Sequence, residues 1–187
     1  MERESLLSVI VPLLERTSHD KGSIVLMTCG IAGSGKTTLA KAVTNERPEF
    51  TRLSIDEIIY EKHGLFGISY PANDQVYEQY QDEADQIFLD RFGQLLDDGK
   101  DVVLDRSFYA KEDRDNFKSM VEERGGRWVL VYLKAGDKEA LWKRICRRSE
   151  EEKTPNSALD ISRELFETYW AGFQESVGEG EVTLISC

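Results

Sequence analysis

The stretch Gly30-Ile31-Ala32-Gly33-Ser34-Gly35-Lys36-Thr37 constrains the chain more than any other. It spells G-x-x-x-x-G-K-[ST], the signature of a loop that wraps backbone N–H groups around a phosphate. The apolar run Ile24-Val25-Leu26-Met27 precedes it, and the helix-forming run Thr38-Leu39-Ala40-Lys41-Ala42-Val43 follows. Strand, loop and helix in that order are the context the motif requires. Side chains at Gly30, Gly33 or Gly35 would obstruct the wrap or forbid its backbone angles. The helix then begins with its positive dipole end and free N–H groups aimed at the anion. Lys36 is placed to reach the β- and γ-phosphates, and the Thr37 hydroxyl is placed for Mg²⁺.

Five apolar segments alternate with helical patterns along the 187 residues, a length that suits one domain with a substantial core. Strands are expected at about 23–29, 51–55, 102–105, 127–133 and 181–186. Residues 4–16 read as a short helix bent at Pro12. After Asp56-Glu57 a short helical turn is expected, then a loop over 62–71 rich in glycine and aromatics. Asn73 reads as the cap of a long helix ending before Gly99. Further helices are expected over about 111–123, over 137–148 with Asp137 as cap, and over 160–175. Such an alternation predicts an α/β fold, a parallel sheet covered on both faces. Ligands bind such sheets beyond the carboxyl ends of the strands. Those ends carry Gly30, Asp56 and Asp105.

The formal net charge of −11 repels nucleic acid and anionic membrane, so a polynucleotide partner is disfavoured. No apolar run is long enough to span a bilayer, and the charged start Met1-Glu2-Arg3-Glu4 lacks the form of a secretory signal. Cys29, Cys146 and Cys187 are scattered, with neither metal nor disulfide spacing, which points to a reducing cytoplasm.

Several polar residues stand where chemistry is expected. Asp105 ends an apolar strand and faces the loop as a Mg²⁺ acid would, beside Thr37. Asp56 is placed to accept the proton of a hydroxyl attacking the γ-phosphorus, with Glu57 as the neighbouring alternative. Arg144 and Arg148 share a helix face, with Arg147 beside it, and arginines there suit the charge of a phosphoryl-transfer transition state. The polar stretch 149–157 behind them suits a closing lid. Arg106 and Arg114, around Ser107-Phe108-Tyr109, are candidate anchors for substrate or phosphate. His19 and His63 lack partners at metal or triad spacing. Guanine is disfavoured, because no Asn-Lys-x-Asp motif is present.

The phosphate loop, then Leu53-Ser54-Ile55-Asp56, then Val103-Leu104-Asp105-Arg106-Ser107, then Leu141 to Arg148, together resemble the small P-loop kinases. These are grouped as zeta-toxin-like and AAA-type ATP-binding phosphotransferases, and include chloramphenicol phosphotransferase, polynucleotide kinase and gluconate kinase. The resemblance spans about residues 23–186. It implies a three-layer αβα P-loop NTPase fold with a five-stranded parallel sheet in the order 2-3-1-4-5. The expected layout is nucleoside-kinase-like: one kinase domain over 1–187, an N-terminal helical extension over 1–22 and a helical lid over 144–157. It implies ATP with Mg²⁺, held by Gly30, Ala32, Gly33, Ser34, Gly35, Lys36, Thr37 and Thr38, with Arg144 closing over them. Asp56 matches the acid that activates the acceptor hydroxyl, Asp105 the metal acid, and Arg144 or Arg148 the lid arginine. Arg106-Ser107 departs from the Asp-x-Asn wording common after the third strand. The resemblance predicts an ATP-dependent kinase acting on a small-molecule hydroxyl. The alternatives are a kinase for polynucleotides or nucleotide sugars, or a slow ATPase acting as a nucleotide-dependent switch.

Overall fold

β1, Ile24–Cys29, is the middle strand of a five-stranded parallel sheet in the computed structural model, which describes residues 3–151, 153–157 and 160–186. Its neighbours are β2 (Thr51–Ser54), β3 (Val102–Asp105), β4 (Arg127–Ala135) and β5 (Val182–Ser186). The order across the sheet is β2-β3-β1-β4-β5, as the resemblance implies. Every residue of β1 is buried, because helices cover both of its faces.

The two-residue period of the strands sorts the core into two halves. Val25, Met27 and Cys29 of β1 pack with Phe88 and Phe92 of α4 (Asp74–Asp97) and with Phe117 and Val121 of α5 (Lys111–Glu122). Ile24 and Leu26 point the other way, onto Leu39, Ala40 and Val43 of α2 (Lys36–Glu46). The N-terminal helix α1 (Arg3–Ile10) and the 3₁₀ turn Val11–Leu14 complete that second half. Ile10 and Leu14 are fully buried in it. This segment is therefore part of the core. Ile10→Ala is expected to lower stability by about 2–5 kcal/mol, read as a shift in the denaturant midpoint.

Register sets the place of the site. Thr28 of β1 lies opposite Asp105 of β3, and Ser54 of β2 lies opposite Asp105 on its other side. Three strands thus end level with one another. The next residues of β1 and β2 lead directly into the phosphate loop and into α3 (Ile55–His63).

The largest differences in extent from the sequence expectation lie in two helices, while β4 runs two residues past its expected end. The turn after Asp56-Glu57 is a nine-residue helix, α3, with Ile58 and Ile59 buried. Its acids lie in the first turn and Lys62 and His63 in the last, the arrangement that suits a helix dipole. The following loop is correspondingly shorter. The helix expected over 160–175 is α7, Arg163–Gly172. Ser162 caps it by accepting from the Leu165 N–H at 3.1 Å. Beyond it Phe173 is extended and packs its ring against Tyr132 and Tyr109.

Candidate active site

The phosphate loop leaves β1 and turns through Gly33, whose φ of +82° is left-handed. A Cβ there would also lie 2.9 Å from Ile145 Cγ1 of α6 (Lys138–Ser149). Gly35, at φ +99°, caps α2, and a Cβ on it would meet nothing within 4 Å. Its open side is a cradle bordered by the first, unpaired N–H groups of α2. Ser34 Oγ beside it is buried with no partner among the described residues. Lys36 Nζ donates to the Ile31 carbonyl at 3.0 Å, so the lysine curls back along the loop. Burial lowers the Lys36 pKa, and the Asp105 and Asp56 carboxylates oppose that shift. These features fit a bound phosphate chain.

The Gly30 N–H donates to the Ser107 carbonyl at 3.0 Å, which ties the loop to the exit of β3. Thr37 Oγ1 donates to Asp105 Oδ1 at 3.2 Å. The hydroxyl and the buried carboxylate make a hard-oxygen pair suited to Mg²⁺. The other oxygen, Asp105 Oδ2, accepts from Arg52 Nη2 at 2.5 Å and Nε at 3.0 Å. Arg52 also pairs with Glu57 and donates to Asn156 Oδ1 at 3.0 Å. Its side chain is only 9% exposed. Nothing about an isolated arginine in a short strand marks it in the sequence, yet it joins β3, α3 and the segment after α6.

Asp56 lies in the first turn of α3 and not on the strand itself. It lines a cleft of about 590 Å³ together with Lys36, Thr37, Asp105 and Arg148. A side pocket of about 120 Å³ continues from it, walled by Tyr70, Tyr77, Leu65 and Asn156. Desolvation, and next the nearby Asp105 carboxylate, push the Asp56 pKa up to about 6, against the pull of Lys36, Arg148 and Arg52. Glu57, the alternative acid, is committed to Arg52.

The basic cluster of α6 divides. Arg148 is half-buried and lines both the cleft and the side pocket by Asp56. Arg144 is exposed and donates to the Gly33 carbonyl at 3.2 Å. Arg144, Arg147 and Arg148 line a second hollow of about 300 Å³ over Gly35, Thr37 and Thr38. Leu141 and Ile145 of α6 are buried with Ile31 and Phe166, so the base of the expected lid is packed onto the phosphate loop.

Arg106 lines the cleft, where it pairs with Asp85 of α4. Arg114 does not reach it, contrary to the substrate role expected of it. The side chain is fully buried, donating to the Glu179 carboxylate and to the carbonyls of Phe108 and Gln174. A guanidinium there binds the chain's own oxygens and has none left for a ligand. Arg114→Ala is expected to destabilise the fold by about 3–5 kcal/mol, as a thermal or denaturant melt would read, since it leaves the Glu179 carboxylate with Lys118 alone and takes the donor from the Phe108 and Gln174 carbonyls. His63 stacks on Tyr80 and bonds Glu83, a packing role, and His19 is exposed. Tyr77, Gln81 and Asp85 also line the cleft. Their spacing of four along α4 is the one signal in the sequence that marks them as a single polar row.

An AAA domain model, AAA_33, matches residues 25–175. The chain belongs to this AAA domain family. The matched span starts inside β1, so the buried N-terminal segment lies outside it. No curated protein matches the sequence significantly. Solved structures share the fold across nearly the whole of this family member. A gluconokinase from Sinorhizobium meliloti 1021 is 20% identical, with a TM-score of 0.56, over 88% of this chain and 82% of its own. A candidate kinase from Chloroflexus aurantiacus J-10-fl is 16% identical, with a TM-score of 0.71, over 88% and 89%. Kti12 from Chaetomium thermophilum, solved with ADP-AlF3, is 15% identical, with a TM-score of 0.60, over 86% and 88%. The fold is that of the small P-loop kinases, a nucleotide-binding architecture.

Proposed function

We propose that the protein is an ATP-dependent kinase that transfers the γ-phosphoryl group to a hydroxyl of a small molecule. The observation that carries this reading is Asp56: a desolvated carboxyl, with its pKa raised to about 6, in the same cleft as the phosphate-loop lysine. A base at that place can take the proton of an acceptor hydroxyl, and the cleft has room for a small acceptor beside it. The likeness to a gluconokinase supports the reading.

In the proposed reaction the acceptor oxygen forms a bond to the γ-phosphorus as the bond to the β–γ bridging oxygen breaks. Asp56 takes the acceptor's proton. Lys36 and Arg148 offset the charge on the transferring group, and Arg144 closes the nucleotide side. Thr37 and Asp105 hold Mg²⁺, which when bound supplies charge neutralisation at the phosphates. Arg52 occupies one oxygen of Asp105 and leaves the other directed at Thr37. Arg106, with Asp85, contributes to the acceptor end of the cleft. A cleft of about 590 Å³ suits a small acceptor beside the phosphate chain. The free thiols of Cys29 and Cys146 fit a cytoplasmic setting.

ADP release, measured with and without a low-molecular-mass metabolite extract, tests the reaction class. A kinase releases ADP several-fold faster with the extract. The same slow rate in both mixtures would instead indicate an ATPase switch.

A further inference from the structure

Asn156 sits in the 3₁₀ turn Pro155–Ser157 and lines both the cleft and the side pocket, each of which it shares with Asp56. Its Oδ1 accepts from Arg52 Nη2. A guanidinium can only donate, so this contact decides which way the amide faces: oxygen toward Arg52, nitrogen away from it. Nδ2 is buried and finds no hydrogen-bond partner among the described residues. A buried amide donor left unpaired is costly and rare. Turning the amide over would not relieve it, because Arg52 is itself pinned by Asp105 and Glu57 and would then face an N–H₂ group.

We infer that Asn156 determines acceptor specificity: as the side pocket widens around an acceptor, its Nδ2, closed off without one, donates to a second oxygen of the acceptor, apart from the hydroxyl presented to Asp56. The inference rests on the kinase reading above. It defines a chemical class. The group at Nδ2 must offer a lone pair, as a hydroxyl, carbonyl or carboxylate oxygen does and an ammonium does not. Polyoxygenated alcohols meet that demand, and an amino-alcohol placing its ammonium there is selected against. Arg52 is the positioning residue. Because it also holds Asp105, it registers the recognition amide against the acid of the metal site.

The test compares wild-type protein with Asn156→Asp over a dilution series of the same metabolite extract, with ADP release as the readout. Aspartate keeps an oxygen for Arg52 and removes the donor but adds a negative charge beside Asp56, so Asn156→Ala, which adds none, is measured with it. The extract concentration giving half-maximal rate is expected to rise about tenfold or more, in line with the loss of a buried hydrogen bond. Affinity for a non-hydrolysable ATP analogue, measured by calorimetry, is expected to stay within about twofold, because Asn156 is absent from the hollow over Gly35 and Thr38. Asn156→Ala, which adds no charge, is expected to show the same rise. An unchanged half-maximal concentration in Asn156→Ala overturns the inference, as does a nucleotide affinity that falls in step with the rate. Wild-type protein that shows no response to the extract overturns the kinase reading itself, and this inference with it.

Discussion

Lys36→Ala is expected to lower turnover by at least about a hundredfold, the typical loss when one preorganised charge-stabilising donor is removed. The lysine is the cation of the phosphate loop, and its ammonium now rests on the Ile31 carbonyl within reach of the cleft. The fold, by contrast, should not suffer. Burial already lowers the Lys36 pKa, so the folded state disfavours this charge, and alanine relieves that burden. The pair of readouts is therefore steady-state rate and melting temperature: a rate collapse with a melting temperature equal to or above wild type. A variant with wild-type turnover would remove the loop from the chemistry.

Asp56→Asn is expected to keep nucleotide binding and to lose phosphoryl transfer by a factor of about 10²–10⁴, the usual contribution of a positioned base. Calorimetry with an ATP analogue and single-turnover transfer separate the two effects. Loss of both together would mark Asp56 as structural. The wild-type pH profile carries a second signature. Only the carboxylate can accept a proton, so kcat/KM for the acceptor should climb through pH of about 6, well above the usual aspartate range. Stability runs the other way. The folded-state pKa is raised, so between about pH 4 and pH 6 the native protein holds a proton that the unfolded chain has released. Stability contributed at this site therefore falls as pH rises through that window. Asparagine removes this slope and should leave the variant more stable than wild type at pH 7.

The parts of the site that a sequence shows are those with a backbone cause. The phosphate loop is legible because Gly33 and Gly35 need left-handed φ and Gly33 also needs space. Asp105 is legible because an acid ends an apolar strand, and the sheet order follows from the resemblance. What stayed hidden depends on side chains meeting across the fold. Arg52 and Asp105 belong to different strands, 53 positions apart, and only the level ends of β2 and β3 bring them together. Arg114 looks like a free cation near the site until Glu179 is seen beneath it, 65 positions away. Asn156 lies in a polar stretch with no periodicity, and its role follows solely from the arginine that orients it. The N-terminal segment reads as an appendage, but the burial of Ile10 and Leu14 makes it part of the sheet's cover.

The most direct measurement of the central claim uses ATP carrying heavy oxygen in its γ-phosphoryl group, mixed with the protein and a broad metabolite extract. Mass spectrometry then searches for newly labelled phosphate esters, with Lys36→Ala protein as the control. The account predicts a labelled ester of an oxygen-rich small molecule that forms with wild-type protein and is missing from the control. Label appearing only in inorganic phosphate, across extracts of differing origin, would contradict it and assign the cleft to ATP hydrolysis.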